Sequence, residues 1–233
     1  MNVLAVFAHP DDAELACGGT LAGLAGAGAV VDVVCVCAGE KGSSTLVDGT
    51  ELAARRAVES RAAAEALGAG SWVSLGRPDG EVDSGPGLRE ELVGRIRAVR
   101  PDIVFTSDPT AAFFGTGYVN HRDHRSVGWA VLDAVSPAAA NPNYSPDAGE
   151  PHAVAEVLLS GSLEPDWWID IAATIDAKIS ALRCHESQLG GGTELGADFD
   201  LIAPMVRARA EAEGRRGGIE LAEGFRRLVL IER

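Results

Sequence analysis

The chain has 233 residues, within reach of one hydrophobic core, and its 46% hydrophobic and 23% charged residues exclude a disordered protein. Thirty-four acidic residues against twenty basic ones give a formal charge of -14. Such a surface repels phosphate backbones and anionic membranes, so nucleic acid is not an expected partner. One domain, residues 1–233, is the expected organisation.

The apolar opening Val3 to Ala8 is too short to span a membrane and reads as a buried strand, Asn2 to Phe7. Further apolar runs follow at Val30 to Val36, Trp72 to Leu75 and Ile103 to Thr106. Between them, Ala13 to Ala27, Thr50 to Leu67 and Leu88 to Val99 carry apolar residues three and four apart and read as crossover helices. Leu67-Gly68 and Arg100-Pro101 are stop signals for the second and third helices. This rhythm predicts a Rossmann-like three-layer α/β/α fold with a mostly parallel sheet.

After Asp108 a Gly, Asn and aromatic segment runs to Asn120 and reads as a loop feeding a helix from about His124 to Val135. Ser136 to Pro151 holds four of the eleven prolines and is expected to be an irregular surface excursion. Val154 to Leu159 reads as a strand, Ile171 to Cys184 as a helix, Leu189 to Gly196 as a glycine-rich loop and Arg226 to Ile231 as a strand. The four cysteines lack zinc-ribbon spacing and read as reduced thiols of a cytoplasmic protein.

Two clusters carry chemistry. The loop after the first strand reads Ala8-His9-Pro10-Asp11-Asp12-Ala13-Glu14, and a turn at Pro10 lets His9 and Asp12 converge while Asp11 stays free. The second cluster is His121-Arg122-Asp123-His124, whose histidines are three residues apart and can face one cleft. A catalytic zinc takes three N or O ligands and keeps one position open, a demand met by His9, Asp12 and one histidine of the second cluster. The bland alternative is that Asp11 or Asp12 only caps the next helix. A nucleotide site is excluded, because His-Pro-Asp-Asp stands where a glycine-rich phosphate loop is needed.

These residues resemble the LmbE-like (PIG-L) family of zinc N-deacetylases, marked by an AHPDD loop after the first strand and a later HxDH segment. The likeness extends through Gly18-Gly19-Thr20, Gly39-Glu40-Lys41-Gly42, Arg56 to Glu59, Pro78-Asp79-Gly80, Lys178, His185-Glu186-Ser187-Gln188 and Glu223-Gly224-Phe225-Arg226. The resemblance implies that His9, Asp12 and His124 ligate zinc, with Fe2+, Co2+ or Ni2+ as other occupants. It further implies that Asp11 is the general base, that His121 stabilises the oxyanion and Asp123 orients it, and that Arg56 and Asp79 contact sugar hydroxyls.

Two departures are Ala13-Glu14, where many members have Glu directly after the paired aspartates, and Arg122, where many have Pro. The tyrosine that some members place two residues before the first histidine of the later motif is replaced by Val119, with Tyr118 beside it. The implied activity is removal of an N-acyl group, expected to be acetyl, from a small amino-sugar conjugate. Alternatives are an amidase for a thiol-conjugate or natural-product amide, and a non-catalytic metal- or carbohydrate-binding protein.

Overall fold

The computed structural model describes residues 1–189 and 201–231. In chain order the elements are β1 (Asn2–Phe7), α1 (Asp12–Gly26), β2 (Val30–Cys37), α2 (Gly49–Ala66), β3 (Ser71–Arg77), α3 (Pro86–Val99), β4 (Ile103–Ser107), β5 (Phe113–Phe114), β6 (Tyr118–Val119) and α4 (Arg122–Asp133). A π-helical turn, Ala134–Ala139, extends α4, and there follow β7 (Glu156–Ser160), β8 (Trp167–Asp170), α5 (Ile175–Arg183), α6 (Glu186–Leu189), α7 (Ile202–Gly217) and β9 (Ala222–Val229). Seven strands form one sheet in the order β3-β2-β1-β4-β7-β9-β8. The first five run parallel, while β9 is antiparallel to both β7 and β8.

β1 lies at the centre, so both of its faces must be apolar. Its residues alternate between two cores as strand geometry requires. Leu4, Val6 and Ala8 pack with Leu92 and Ile96 of α3 and Val127 and Val131 of α4. Val3, Ala5 and Phe7 pack on the other side with Leu21 of α1, Ala63 of α2 and Ala181 of α5. A third cluster joins α5 to α7 through Ile175, Ile179, Val206 and Ala210. The three-layer α/β/α expectation matches this arrangement.

The helix ends follow ordinary capping chemistry. Asp48 accepts from the Thr50 and Glu51 amides to start α2, Pro86 begins α3, and Gly68 with φ +74 closes α2. α1 is kinked at Cys17, and the Gly19 and Thr20 amides beyond the kink donate to the buried Glu223 carboxylate at 3.0 and 2.8 Å. Lys178 Nζ completes this knot, 2.5 Å from Glu223 and 3.0 Å from the Leu15 carbonyl. Three segments far apart in the chain are thereby pinned together.

Three expectations need correction. The helix expected over Ile171 to Cys184 begins at Ile175, because Trp167–Asp170 pairs with β9 and Ile171 closes the turn after it. The last strand spans Ala222–Val229, earlier than Arg226 to Ile231, since it is bound on both sides by β7 and β8. Ser136 to Pro151 is not wholly a surface excursion: Ala138 and Ala139 are core residues, and the buried Arg97 guanidinium donates to six carbonyls between Ala138 and Gly149. Of the loop expected over Leu189 to Gly196, Leu189 ends α6 and the remainder lies outside the described residues.

Candidate active site

The carboxyl ends of β1, β2, β3 and β4 open onto one cleft, the edge at which parallel sheets place ligands. The loop after β1 is tightly specified there. Asp11 adopts φ +102, a left-handed conformation rare for a residue with a Cβ. Its carboxylate makes no capping hydrogen bond to α1, and that of Asp12 accepts instead from the His9 amide at 2.8 Å. The plain helix-cap alternative therefore does not describe either side chain. Such backbone strain persists only where surroundings enforce it. Here Arg56 does so, donating from Nη2 to the Pro10 carbonyl at 2.7 Å and to Asp11 at 3.3 Å, and from Nη1 to the Gly39 carbonyl at 3.0 Å. A Cβ at Gly39 or Gly42 would strike that guanidinium, which explains the glycines of the loop after β2.

His9, Asp12 and His124 form a triangle. His9 Nδ1 and His124 Nε2 are 3.1 Å apart, and Asp12 Oδ2 lies 3.4 Å from the first and 3.2 Å from the second. The outer nitrogen of each ring faces an acceptor. His9 Nε2 lies 3.2 Å from Asp79 Oδ1 and 3.4 Å from Asp123 Oδ2, close carboxylate contacts rather than well-aligned hydrogen bonds, while His124 Nδ1 donates to Asn120 Oδ1 at 3.1 Å. Protons on those outer nitrogens leave two lone pairs and a carboxylate oxygen converging on one point. That donor set fits a divalent cation: tetrahedral ligands about 2.1 Å from zinc stand about 3.4 Å apart.

The electrostatics favour positive charge at the same point. Burial opposes charging of His9, yet its close contacts with the Asp12 and Asp79 carboxylates outweigh this and raise its pKa well above the usual value. Burial alone would raise Asp12, but the adjacent histidines hold it well below the carboxylate range. Asp11 behaves oppositely: burial, then the Asp12 charge, push it up to about 7 against the pull of Arg56.

His121 precedes α4 as its cap, and its Nδ1 accepts from the Asp123 amide at 3.2 Å, which leaves the proton on Nε2. Its ring centroid is 4.7 Å from that of His9. Asp123 itself is fully buried. Its carboxylate accepts from the Gly80 and Val82 amides at 2.6 and 3.1 Å and lies 3.9 Å from His121 Nδ1, so it contacts the loop after β3 and His9 more closely than His121. It is the Asp123 backbone that orients the His121 ring.

The expected sugar contacts divide. Asp79 lines an open cavity of about 400 Å³ together with Asp11, Lys41, His121 and Gln188. Arg56 borders the same cavity, but it is 3% exposed and its guanidinium is occupied by loop carbonyls and Asp11. His185, part of the family likeness near the C-terminus, is completely buried with Nε2 3.6 Å from Glu14. Tyr118 sits half exposed on the β5–β6 hairpin against Phe114.

Sequence reasoning missed Asn120, whose Nδ2 donates to the Ala111 carbonyl at 2.8 Å while its Oδ1 fixes the His124 ring. The signal was its spacing of four from His124. It also missed how the scattered family segments meet: Glu59 accepts from the Ser187 amide and hydroxyl, and Lys41 Nζ donates to the Asp79 carbonyl at 2.7 Å.

A free carboxylate beside a two-histidine, one-aspartate donor set, at the carboxyl edge of a parallel sheet, is the apparatus of a hydrolase. The chain belongs to the GlcNAc-PI de-N-acetylase (PIG-L) family, whose sequence description matches residues 4–135. It is 34% identical over 230 residues to diacetylchitobiose deacetylase of Thermococcus kodakarensis, covering 97% of this chain and 82% of that protein. It is 30% identical over 266 aligned positions to 1D-myo-inositol 2-acetamido-2-deoxy-alpha-D-glucopyranoside deacetylase of Rhodococcus opacus, covering 88% of each. The solved structure of N,N'-diacetylchitobiose deacetylase from Pyrococcus horikoshii superposes with a TM-score of 0.85 at 29% identity, over 98% of this chain and 84% of that one.

Proposed function

We propose that residues 1–233 act as one domain that hydrolyses the N-acetyl group of a small amino-sugar conjugate, with zinc held by His9, Asp12 and His124. Iron, cobalt and nickel ions suit the same donors. The observation that carries this reading is the triangle of donors 3.1 to 3.4 Å apart beside an uncapped, strained Asp11. A divalent ion bound there supplies Lewis acidity toward water and the acyl carbonyl.

The chain's own groups then divide the work. Asp11, held by Arg56, takes the proton of the attacking water and returns it to the departing nitrogen. His121 presents its Nε2–H to the developing oxyanion, a contribution of about 3 kcal/mol for one such donor. Asp123 backs His9 and ties down the loop after β3. Arg56 acts through Asp11, while Asp79, with Lys41 and Gln188 on the polar cavity, faces the sugar.

The substrate class rests on the two sugar deacetylases named above and on that polar cavity. A cytoplasmic setting accords with four free cysteines, and among the described residues no helix is long and apolar enough to cross a membrane. The test is acetate release by metal-loaded protein from N-acetylglucosamine, diacetylchitobiose and N-acetylglucosaminyl-inositol. Turnover of at least one is expected. About one zinc per chain with no release from any of them would overturn the catalytic reading.

A further inference from the structure

The donor triangle stands between two cavities of opposite character. On the His9 side is the polar opening already described, with Asp11, Lys41, Asp79 and Gln188 on its walls. On the other side, Asp12 and His124 look into a mostly apolar cavity of about 300 Å³ walled by Phe7, Leu15, Phe114 and Tyr118, with Ser107, Ser160 and Arg209 also on its border. A further cavity of about 190 Å³ lies beside it: Leu15, Ala16, Gly161 and Arg209 border both, and Met205, Val206 and Ala210 of α7 line the second together with Pro165.

The inner chamber is mostly apolar. Of its charged residues among those described, Lys178 and Glu223 are paired with each other, Glu213 accepts from Trp168 Nε1 and Arg216, and Arg209 stands where the chamber borders the first cavity. Gly161, at the junction, has φ +64, and a Cβ there would meet only the Phe114 ring at 3.9 Å. The left-handed backbone favours glycine and so keeps the passage free of a side chain.

We infer that the two joined cavities form an acyl channel, so that the enzyme cleaves N-acyl groups considerably longer than acetyl. This deepens the proposed deacylase reading and rests on it. An amide has two substituents and the site has two sides. Sugar hydroxyls need hydrogen-bond partners, which the polar side supplies more densely than walls built largely of Phe7, Leu15, Phe114 and Val206. A hydrocarbon chain has no such need, and each methylene it buries raises affinity about fourfold. An acetyl group presents one methyl to a space that continues from Asp12, past Leu15 and Ala16, to Ala210. The reaction is ordinary hydrolysis: the C–N bond breaks, water oxygen joins the acyl carbon, and the products are a carboxylate and the protonated amine.

The experiment compares amine release from N-acetyl-, N-butyryl-, N-hexanoyl- and N-octanoylglucosamine by the metal-loaded enzyme, with the octyl glycoside of N-acetylglucosamine as a second arm. The hexanoyl compound is expected to reach a kcat/KM at or above that of the acetyl compound. Ala210→Phe, which fills the inner chamber, should lower the hexanoyl-to-acetyl ratio at least tenfold. Met205→Trp, at a half-exposed position, serves the same purpose if that variant does not fold. A fall of more than a hundredfold from acetyl to hexanoyl, with acetyl still cleaved, overturns the channel and leaves the deacetylase. A gain confined to the octyl glycoside gives the channel to the aglycone and also overturns the inference. Cleavage of no amide in the series removes the deacylase reading itself, and the channel with it.

Discussion

On the polar side of the cleft, side chains are fixed by hydrogen bonds to main chain: Arg56 to the carbonyls of Pro10 and Gly39, Asp123 to the amides of Gly80 and Val82, and Lys41 to the carbonyl of Asp79. On the apolar side, the Phe113–Val119 hairpin and α7 supply shape, with Phe113, Tyr118 and Met205 half exposed or more. The difference teaches where precision is needed. A carboxylate that moves a proton must be held to a fraction of an ångström, whereas a wall that excludes water need only be apolar and near.

The largest effects should therefore come from the pinned side, and two adjacent aspartates separate its roles. Asp12→Ala is expected to abolish both metal content and turnover. Asp11→Asn should keep metal near one per chain while turnover falls at least about a hundredfold. Metal analysis beside an acetate-release assay distinguishes the two. A metal-replete Asp11→Asn protein working at a near-normal rate would falsify the base assignment.

A second buried arginine tests whether pinning by itself makes a site. Arg97, 4% exposed, gathers six carbonyls of the 138–149 segment much as Arg56 gathers those of the catalytic loops, but it sits by no chemistry. Arg97→Ala strands those acceptors and should cost about 3 kcal/mol of stability. Denaturant unfolding measures that loss, and kcat/KM of the remaining folded protein should stay unchanged. A large drop in kcat/KM without loss of stability would instead tie this segment to the cleft.

The same contrast explains what the sequence reveals. Central strands such as Asn2–Phe7 announce themselves because they are buried on both faces, and the crossover helices because their apolar spacing is regular. His9, Asp12 and His124 are legible because a donor set must use a few residue types, two of them in a four-residue loop. Contacts across the chain are not: nothing local to Glu223 says that it receives the amides of Gly19 and Thr20. α7 gives only a weak signal although Val206, Ala210 and Gly214 recur every four residues, because they form a narrow stripe of small residues among Arg and Glu. β8 escaped because a four-residue edge strand has little periodicity to show.

Asn120 gives a smaller effect from the pinned side. It holds His124 through one hydrogen bond, and losing it frees the ring to turn without removing a ligand. Asn120→Ala should weaken zinc affinity about tenfold to a hundredfold, read by competition with a chelator. Turnover at saturating zinc should recover most of its value. If zinc affinity is unchanged, the ring is being oriented by packing alone and the contrast between the two sides softens.

Tyr118 should show the smallest effect, and it is the most direct probe of the other side because it brings a polar tip to an apolar wall. Its ring is tilted against Phe114 with centroids 6.0 Å apart, on a two-residue strand that is half exposed. A hydroxyl that polarised the acyl carbonyl would have to be held toward the donors, and its removal would cost about a hundredfold or more. Among the described residues nothing comparable to Arg56 or Asp123 holds it: its ring contact there is Phe114, and no side-chain hydrogen bond fixes the phenol. Tyr118→Phe is therefore expected to change kcat less than about threefold, whereas Tyr118→Ala, which removes wall, should raise KM more than it lowers kcat. A hundredfold loss of kcat in Tyr118→Phe would mean that the hairpin closes onto the substrate and that the apolar side carries chemistry as well as shape.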